Sequence, residues 1–261
     1  MDINWPAAVQ LEPVEFLACW EALTLGEPPF LLRMRHPDGT VDQIEETRRQ
    51  FTEAIAGLAE RGLSDGVHPG QRLAQLLGVL SRSDYQIDIR FTGPYGRPVL
   101  GLGGIAGGDG VIAVSNDGLG PITLLEMDSS RVAASLLSLP GPMTPGVGPQ
   151  VNIPVDLLDK AIAATTDNSF WTLADRLREL GVPAQDANAL ARMSSATTFG
   201  GQLGATARFG APERRGPWVI AFHSAGEGYF MMLRRGTTVT MGPTDANRLL
   251  LQWRELVENL Q

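Results

Sequence analysis

Apolar positions along the chain follow two rhythms, one helical and one alternating, and the same order of rhythms occurs twice. Spacings of three and four mark helices over Val14–Leu25 (Phe16, Leu17, Trp20, Leu23), Ile44–Arg61 (Phe51, Ile55, Leu58) and Gln71–Ser81 (Leu73, Leu76, Leu77, Leu80). Pro13 suits a first helical turn, and Gly26 and Gly62 suit helix ends. Between the first two helices Phe30–His36 alternates, which predicts a strand with Phe30, Leu32 and Met34 on one face and Leu31, Arg33 and Arg35 on the other. Four further strands are predicted near Tyr85–Phe91, Val99–Ile105, Val111–Val114 and Pro121–Met127. Gly93-Pro94, Gly107–Gly110 and Asn116-Asp-Gly118 separate them, and Asp-Gly pairs between apolar runs are hairpin signals, so the strands are expected to be antiparallel. Asp128 or Ser129 then caps a helix reaching Leu139.

Pro140–Pro154 carries five prolines and three glycines and reads as a linker that breaks any regular element. The sequence beyond it predicts helices near Pro154–Thr165, Phe170–Leu180 and Ala184–Ser195. Strands follow near Gly201–Phe209, Trp218–His223, Tyr229–Leu233 and Thr237–Met241, and an amphipathic helix spans Thr244–Asn259. Helices, four strands and a helix thus recur. A shift of 118 positions brings Arg90-Phe91 onto Arg208-Phe209, Pro94 onto Pro212, Arg97 onto Arg215, Gly108-Asp-Gly110 onto Gly226-Glu-Gly228 and Gly118 onto Gly236. The expected fold is α+β: a duplicated antiparallel β-sheet with pseudo-two-fold symmetry, flanked by N- and C-terminal helical bundles. It is read as one domain of two related halves, about 1–139 and 155–261, joined by linker 140–154.

Composition narrows the function classes. With 261 residues, 43% of them hydrophobic, the chain is long enough for a substantial core. The net charge of −8 disfavours nucleic acid and anionic membrane surfaces as partners. Cys19 is the sole cysteine, so no intrachain disulfide forms. Met1–Trp5 lacks the basic and apolar regions of a signal peptide, and no apolar run approaches a membrane span, so a cytoplasmic protein is expected. Lys160 is the only lysine, as in chains from high-GC bacteria.

Candidate chemistry is sparse. Gly101-x-Gly103-x-x-Ala106 fits a dinucleotide-binding turn in letters, but a hairpin and strand follow where that motif needs a helix. His36, His68 and His223 form no paired spacing and read as turn or surface residues; with one cysteine a His/Cys zinc site is not expected. Ser224 beside His223 points to the opposite face of a strand, so the two make no nucleophile–base pair. Cys19 lies beside Trp20 on an apolar helical face and reads as a buried small hydrophobe. Asp84 and Asp88 share a strand face and read as a solvated edge, and Glu45-Glu46 with Arg48-Arg49 as helix-surface pairs. No enzyme, cofactor or metal is predicted. Tyr229-Phe-Met-Met-Leu233 is apolar on both alternating faces, which suits a strand covered on both sides, one cover being the protein's own helices and the second a partner.

Several stretches resemble one family. Val9-Gln-Leu11, Phe16, Leu25 and Pro29-Phe-Leu-Leu32 resemble the opening of the EspG proteins, cytosolic chaperones of ESX (type VII) secretion in actinobacteria. Ile87-Asp-Ile-Arg-Phe-Thr-Gly-Pro94, Gly110–Val114, Leu124, Met127-Asp128, Gly181-Val-Pro-Ala184 and Thr198-Phe-Gly-Gly-Gln202 resemble later parts of that family. The resemblance implies a chaperone that grips the exposed apolar tip of the PPE protein in a PE–PPE heterodimer, keeps the pair soluble and directs it to export. The chain itself is expected to be a monomer or a weak homodimer. The resemblance places contacts on the central sheet, on the loop Gly93–Pro98 and on the C-terminal helices. Carried to this chain, the partner-binding residues are Arg33, Tyr95, Arg97, Leu190, Met193, Phe199, Gln202, Phe209 and Arg234. The alternatives are an EspG-like module with another client or a self-associating role, a small-molecule-binding domain, and an enzyme using a pocket between the halves.

Overall fold

The computed structural model describes residues 7–29, 41–92, 96–116, 120–165, 170–195, 197–208, 213–226 and 228–260, the side chains of 41–43 and 170 excepted. The strand expected over Phe30–His36 lies outside the described residues. In chain order the elements are β1 (Val9–Leu11), α1 (Pro13–Ala22), α2 (Val41–Glu60), α3 (Gln71–Arg82), β2 (Tyr85–Thr92), β3 (Pro98–Ala106), β4 (Asp109–Asn116), β5 (Ile122–Asp128) and α4 (Val132–Leu137). After these come β6 (Val151–Pro154), α5 (Val155–Ala164), α6 (Phe170–Glu179), α7 (Ala184–Ser194), β7 (Thr197–Ala207), β8 (Arg214–Arg215), β9 (Ile220–Ala225), β10 (Gly228–Arg235), β11 (Thr238–Pro243) and α8 (Ala246–Glu258). The strands form an eleven-stranded sheet in the order β1-β5-β4-β3-β2-β7-β9-β10-β11-β6, with β8 beside β7. This is the expected α+β fold with a large antiparallel sheet. Among the described residues no helix is long and apolar enough to cross a membrane.

The chain divides into two compact units. The first comprises Met1–Asp88, Gly93–Leu136 and Ala207–Glu213; the second comprises Ile89–Thr92, Leu137–Thr206 and Arg214–Gln261. In the first unit, Leu102, Val111, Ala113 and Leu124 turn one sheet face toward Phe16, Trp20, Leu58, Leu73, Leu77 and Leu80 of α1–α3. Each fully buried Val, Leu or Phe among them is worth about 1.5–3 kcal/mol. Val132 and Leu136 of α4 pack on the other face, directly above Gly103. Asp128 caps the 3-10 turn before α4 by accepting from the Ser130 amide. Asp88, expected on a solvated edge, is buried. Asp84 does stay at the surface, where its carboxylate accepts from the Gly107 amide.

In the second unit β7, β9, β10 and β11 form the second meander. Its hairpins show that the repeat is offset by 119 residues, one more than the letter match suggested. Ala106 pairs Asp109 across a turn begun by Gly107 (φ +59°), and Ala225 pairs Gly228 across a turn begun by Gly226 (φ +54°). Glycine tolerates that positive φ at the first turn position. Because Gly107 and Gly108 are adjacent, sequence matching cannot separate the two registers, yet a slip of one residue exchanges the faces of every strand that follows. The linker reading also needs correction: Val151–Pro154 is strand β6, with Val151 opposite Met241 and Ile153 opposite Val239. Its proline lies at the end of an edge strand, where no ladder donor is lost.

Candidate functional site

Strand register in the second unit sets out one row of side chains. Gln202 on β7 pairs Ala221 on β9, Ala221 pairs Met232 on β10, Met232 pairs Met241 on β11, and Met241 pairs Val151 on β6. Directly opposed residues in antiparallel strands share a face, so all five side chains point the same way. At the β11–β6 end the row is covered: Val151 and Met241 are buried in a cluster with Leu158 and Ala161 of α5, Ala174 and Leu177 of α6, and Leu190 and Met193 of α7. At the β7–β10 end it is open. Met232 remains 38% exposed, Ala221 is half-buried and Gln202 is exposed. Val219, two positions before Ala221, is 39% exposed. Arg234, two positions after Met232, is held by Asp159 of α5 through Nη1–Oδ1 (3.1 Å) and Nη2–Oδ2 (2.5 Å).

The result is a short apolar strip on the sheet, with an amide at one end and a neutralised ion pair at the other. His223 fixes its margin against α7. The ring stacks on Phe230 at 5.8 Å, and Nε2 lies 2.8 Å from the Met193 carbonyl, so Nε2 carries the proton and donates. Burial holds the His223 pKa below the usual histidine value, with the bond to Met193 opposing in part. It is a half-buried residue inside β9, and not the surface residue expected from its spacing.

The opposite sheet face belongs to α8. Trp253 Nε1 donates to the Gly204 carbonyl (2.8 Å), and Arg235 reaches Glu255 and Gln252 while lying 4.5 Å above the Trp218 ring. Phe199 is on this face, within 5.5 Å of Phe91 and 6.0 Å of both Phe222 and Tyr229. Burial raises the Tyr229 pKa.

The sequence-derived partner-binding residues therefore separate. Gln202 and Arg234 lie at opposite ends of the open strip. Leu190 and Met193 are buried inside the helical cover, where they set the position of α7 and offer no surface. Phe199 lies on the other face. Arg97 is exposed in the first unit, at the entry to β3. Arg33, Tyr95 and Phe209 lie outside the described residues. Met232 and Ala221 escaped sequence reasoning as a pair, because only the register brings them together; the apolar double face of Tyr229–Leu233 was the available signal. Among the described residues no group of three or more His, Cys, Asp and Glu side chains is arranged to hold a metal ion.

Comparison with known proteins places this fold. No curated protein matches the chain by sequence at a significant level. Among solved structures, the chain is similar to the Mycobacterium tuberculosis type VII secretion system chaperone EspG5 in complex with a PE25–PPE41 dimer. The TM-score is 0.76 at 16% identity, over 98% of this chain and 97% of that one, a likeness of fold. The model of the EspG family matches residues 12–252. With that match running through both units and across the open strip, this chain belongs to the EspG family.

Proposed function

We propose that this chain is a cytoplasmic chaperone of type VII secretion that covers the apolar tip of a PPE protein in a PE–PPE heterodimer, holding it on the Gln202–Ala221–Met232 strip. The observation that carries the reading is the strip itself, a row of five registered side chains of which the protein covers only one end. Family membership and the fold shared with a chaperone solved on a PE–PPE dimer support it.

The physics of the strip suits such a task. An exposed apolar tip aggregates unless covered, and Ala221 and Met232 provide an apolar floor for it, with Val219 exposed just before β9. Arg234 already has its counter-ion in Asp159, so a client can seat without leaving an unpaired cation buried. Gln202 supplies one acceptor and two donor hydrogens for backbone groups at the client's helix ends. Leu190 and Met193 act from behind, by fixing the wall that α7 presents. Phe199, on the opposite sheet face, and Arg97, in the first unit, lie off the strip and are not assigned to it. No bond is made or broken; holding and release are the whole activity. In this reading the chain is one domain of two related halves, about 1–139 and 155–261.

Co-expression with PE–PPE pairs from the same genome, followed by affinity capture and mass spectrometry, tests the proposal. Recovery of one PPE chain with its PE partner in stoichiometric amount is expected. Capture of none of the pairs by the folded protein counts against it.

A further inference from the structure

We propose a second docking surface, in the first unit, for an amphipathic helix of another protein that carries a carboxylate beside its apolar stripe. The argument begins with a mismatch in length. Helix α1 has 10 residues and α2 has 20, about 15 Å against 30 Å. On α2, Ile44, Arg48, Phe51, Ile55 and Leu58 fall on one stripe. Leu58 and Ile55 are buried, Phe51 is half-buried, and Ile44 is exposed, so the stripe runs out of the core onto the surface.

A groove of about 490 Å³ opens where it emerges, a volume within the usual range of binding pockets. Ala18 and Ala22 of α1 line it with Phe51 and Ile55 of α2, and Val67, 70% exposed, is at its rim. The two alanines keep that wall low.

Charge selects the occupant. Neighbouring Arg49 is engaged twice, by Glu46 (2.7 Å) and Glu53 (2.8 Å). Arg48, which lines the groove, makes no side-chain hydrogen bond or ion pair among the described residues. A carboxylate one turn away from the incoming apolar side chains would complete it. Glu21, also on the lining, offers the reverse contact to a basic residue on the same helix. A lipid chain would leave both charges unused. A strand would need a free ladder edge, and Arg61 and Arg72 already occupy the Gln10 and Ala7 carbonyls along and beside β1. The two walls are helix surfaces, whose ridges and grooves accept a third helix.

Fluorescence anisotropy on the full chain tests this. The probe is a labelled alanine-based helical peptide with two leucines one turn apart and a glutamate one turn further on. Saturable binding is expected, weakened about tenfold by Arg48→Glu, since attraction becomes repulsion. A lysine version of the peptide should show the reverse preference, binding Arg48→Glu better than the native chain. Arg48 is an exposed surface residue, so the variant folds. Absence of saturable binding, or equal affinity of both peptides for both proteins, overturns the proposal. So does a native chain that dimerises in light scattering while Arg48→Glu is monomeric, because the groove would then belong to a second copy.

Discussion

Met232→Asp is the sharpest perturbation of the open strip. Full burial of a methionine side chain is worth about 1.5–3 kcal/mol. Met232 is 38% exposed, so roughly 0.6–1.1 kcal/mol remains to be gained when a client covers it. The aspartate forfeits that gain and adds a carboxylate with no free cation, because Arg234 is taken by Asp159. An unpaired charge buried at an interface costs about 3–5 kcal/mol. Together these weaken client binding roughly a thousandfold or more. The share of Met232 already buried is lost from the fold, about 1–2 kcal/mol, a fall in Tm of roughly 2–8 °C. Titration calorimetry against a purified PE–PPE pair reads the first effect and a circular-dichroism melt the second. Leu251→Asp on α8 is the control: Leu251 is 60% exposed on the helix that packs the opposite sheet face, and binding should be unchanged. A folded Met232→Asp protein that binds within threefold of the native chain, or a Leu251→Asp protein that loses binding equally, refutes the assignment of the strip.

Three further outcomes are expected. The Cys19 thiol, pushed up to about 12 by burial and then by the nearby Glu15 charge, should resist a disulfide reagent at pH 8 in the native protein and react at once in denaturant. His223 has a folded pKa below its ordinary 6.5, so the unfolded chain binds its proton first as pH falls. Its contribution to stability is complete above that ordinary value and is lost as pH drops through the lower folded one; the native chain should lose Tm over that window more steeply than His223→Gln. Gly103→Ala places a methyl 2.3 Å from Val132 Cγ1 and 3.1 Å from Leu136 Cδ1. Val132 is β-branched and in a helix has little rotamer freedom to move aside. The overpacking costs about 1–3 kcal/mol, and calorimetry should show the melting temperature shifted down by several degrees.

Much of the fold was legible in local pattern. Leu73, Leu76, Leu77 and Leu80 announced α3 and its buried face, and the glycines at Gly107 and Gly226 announced the hairpins. What remained hidden was non-local. Strand β6 lies in a proline-rich segment and exists because Met241 and Val239 offer an edge to pair with. Its alternation, Val151 and Ile153 in and Asn152 out, is too short to outweigh the prolines around it. Of the proposed strip, only the ends, Gln202 and Arg234, were among the residues that the family resemblance suggested. Its centre, Met232, depends on which strand face the helices α5–α7 cover, and register decides that. Leu190 and Met193 entered through the same resemblance, as apolar residues of the C-terminal helices. Apolar character alone does not separate a residue that faces a client from one that faces the core.

Site-specific photo-cross-linking tests the central claim most directly. A photoreactive amino acid placed at Gln202, and separately at Leu251, is irradiated in the presence of a captured PE–PPE pair, and adducts are identified by mass spectrometry. A PPE adduct from position 202 with none from position 251 is the predicted result. An adduct from 251 alone would put the client on the α8 face and contradict the account.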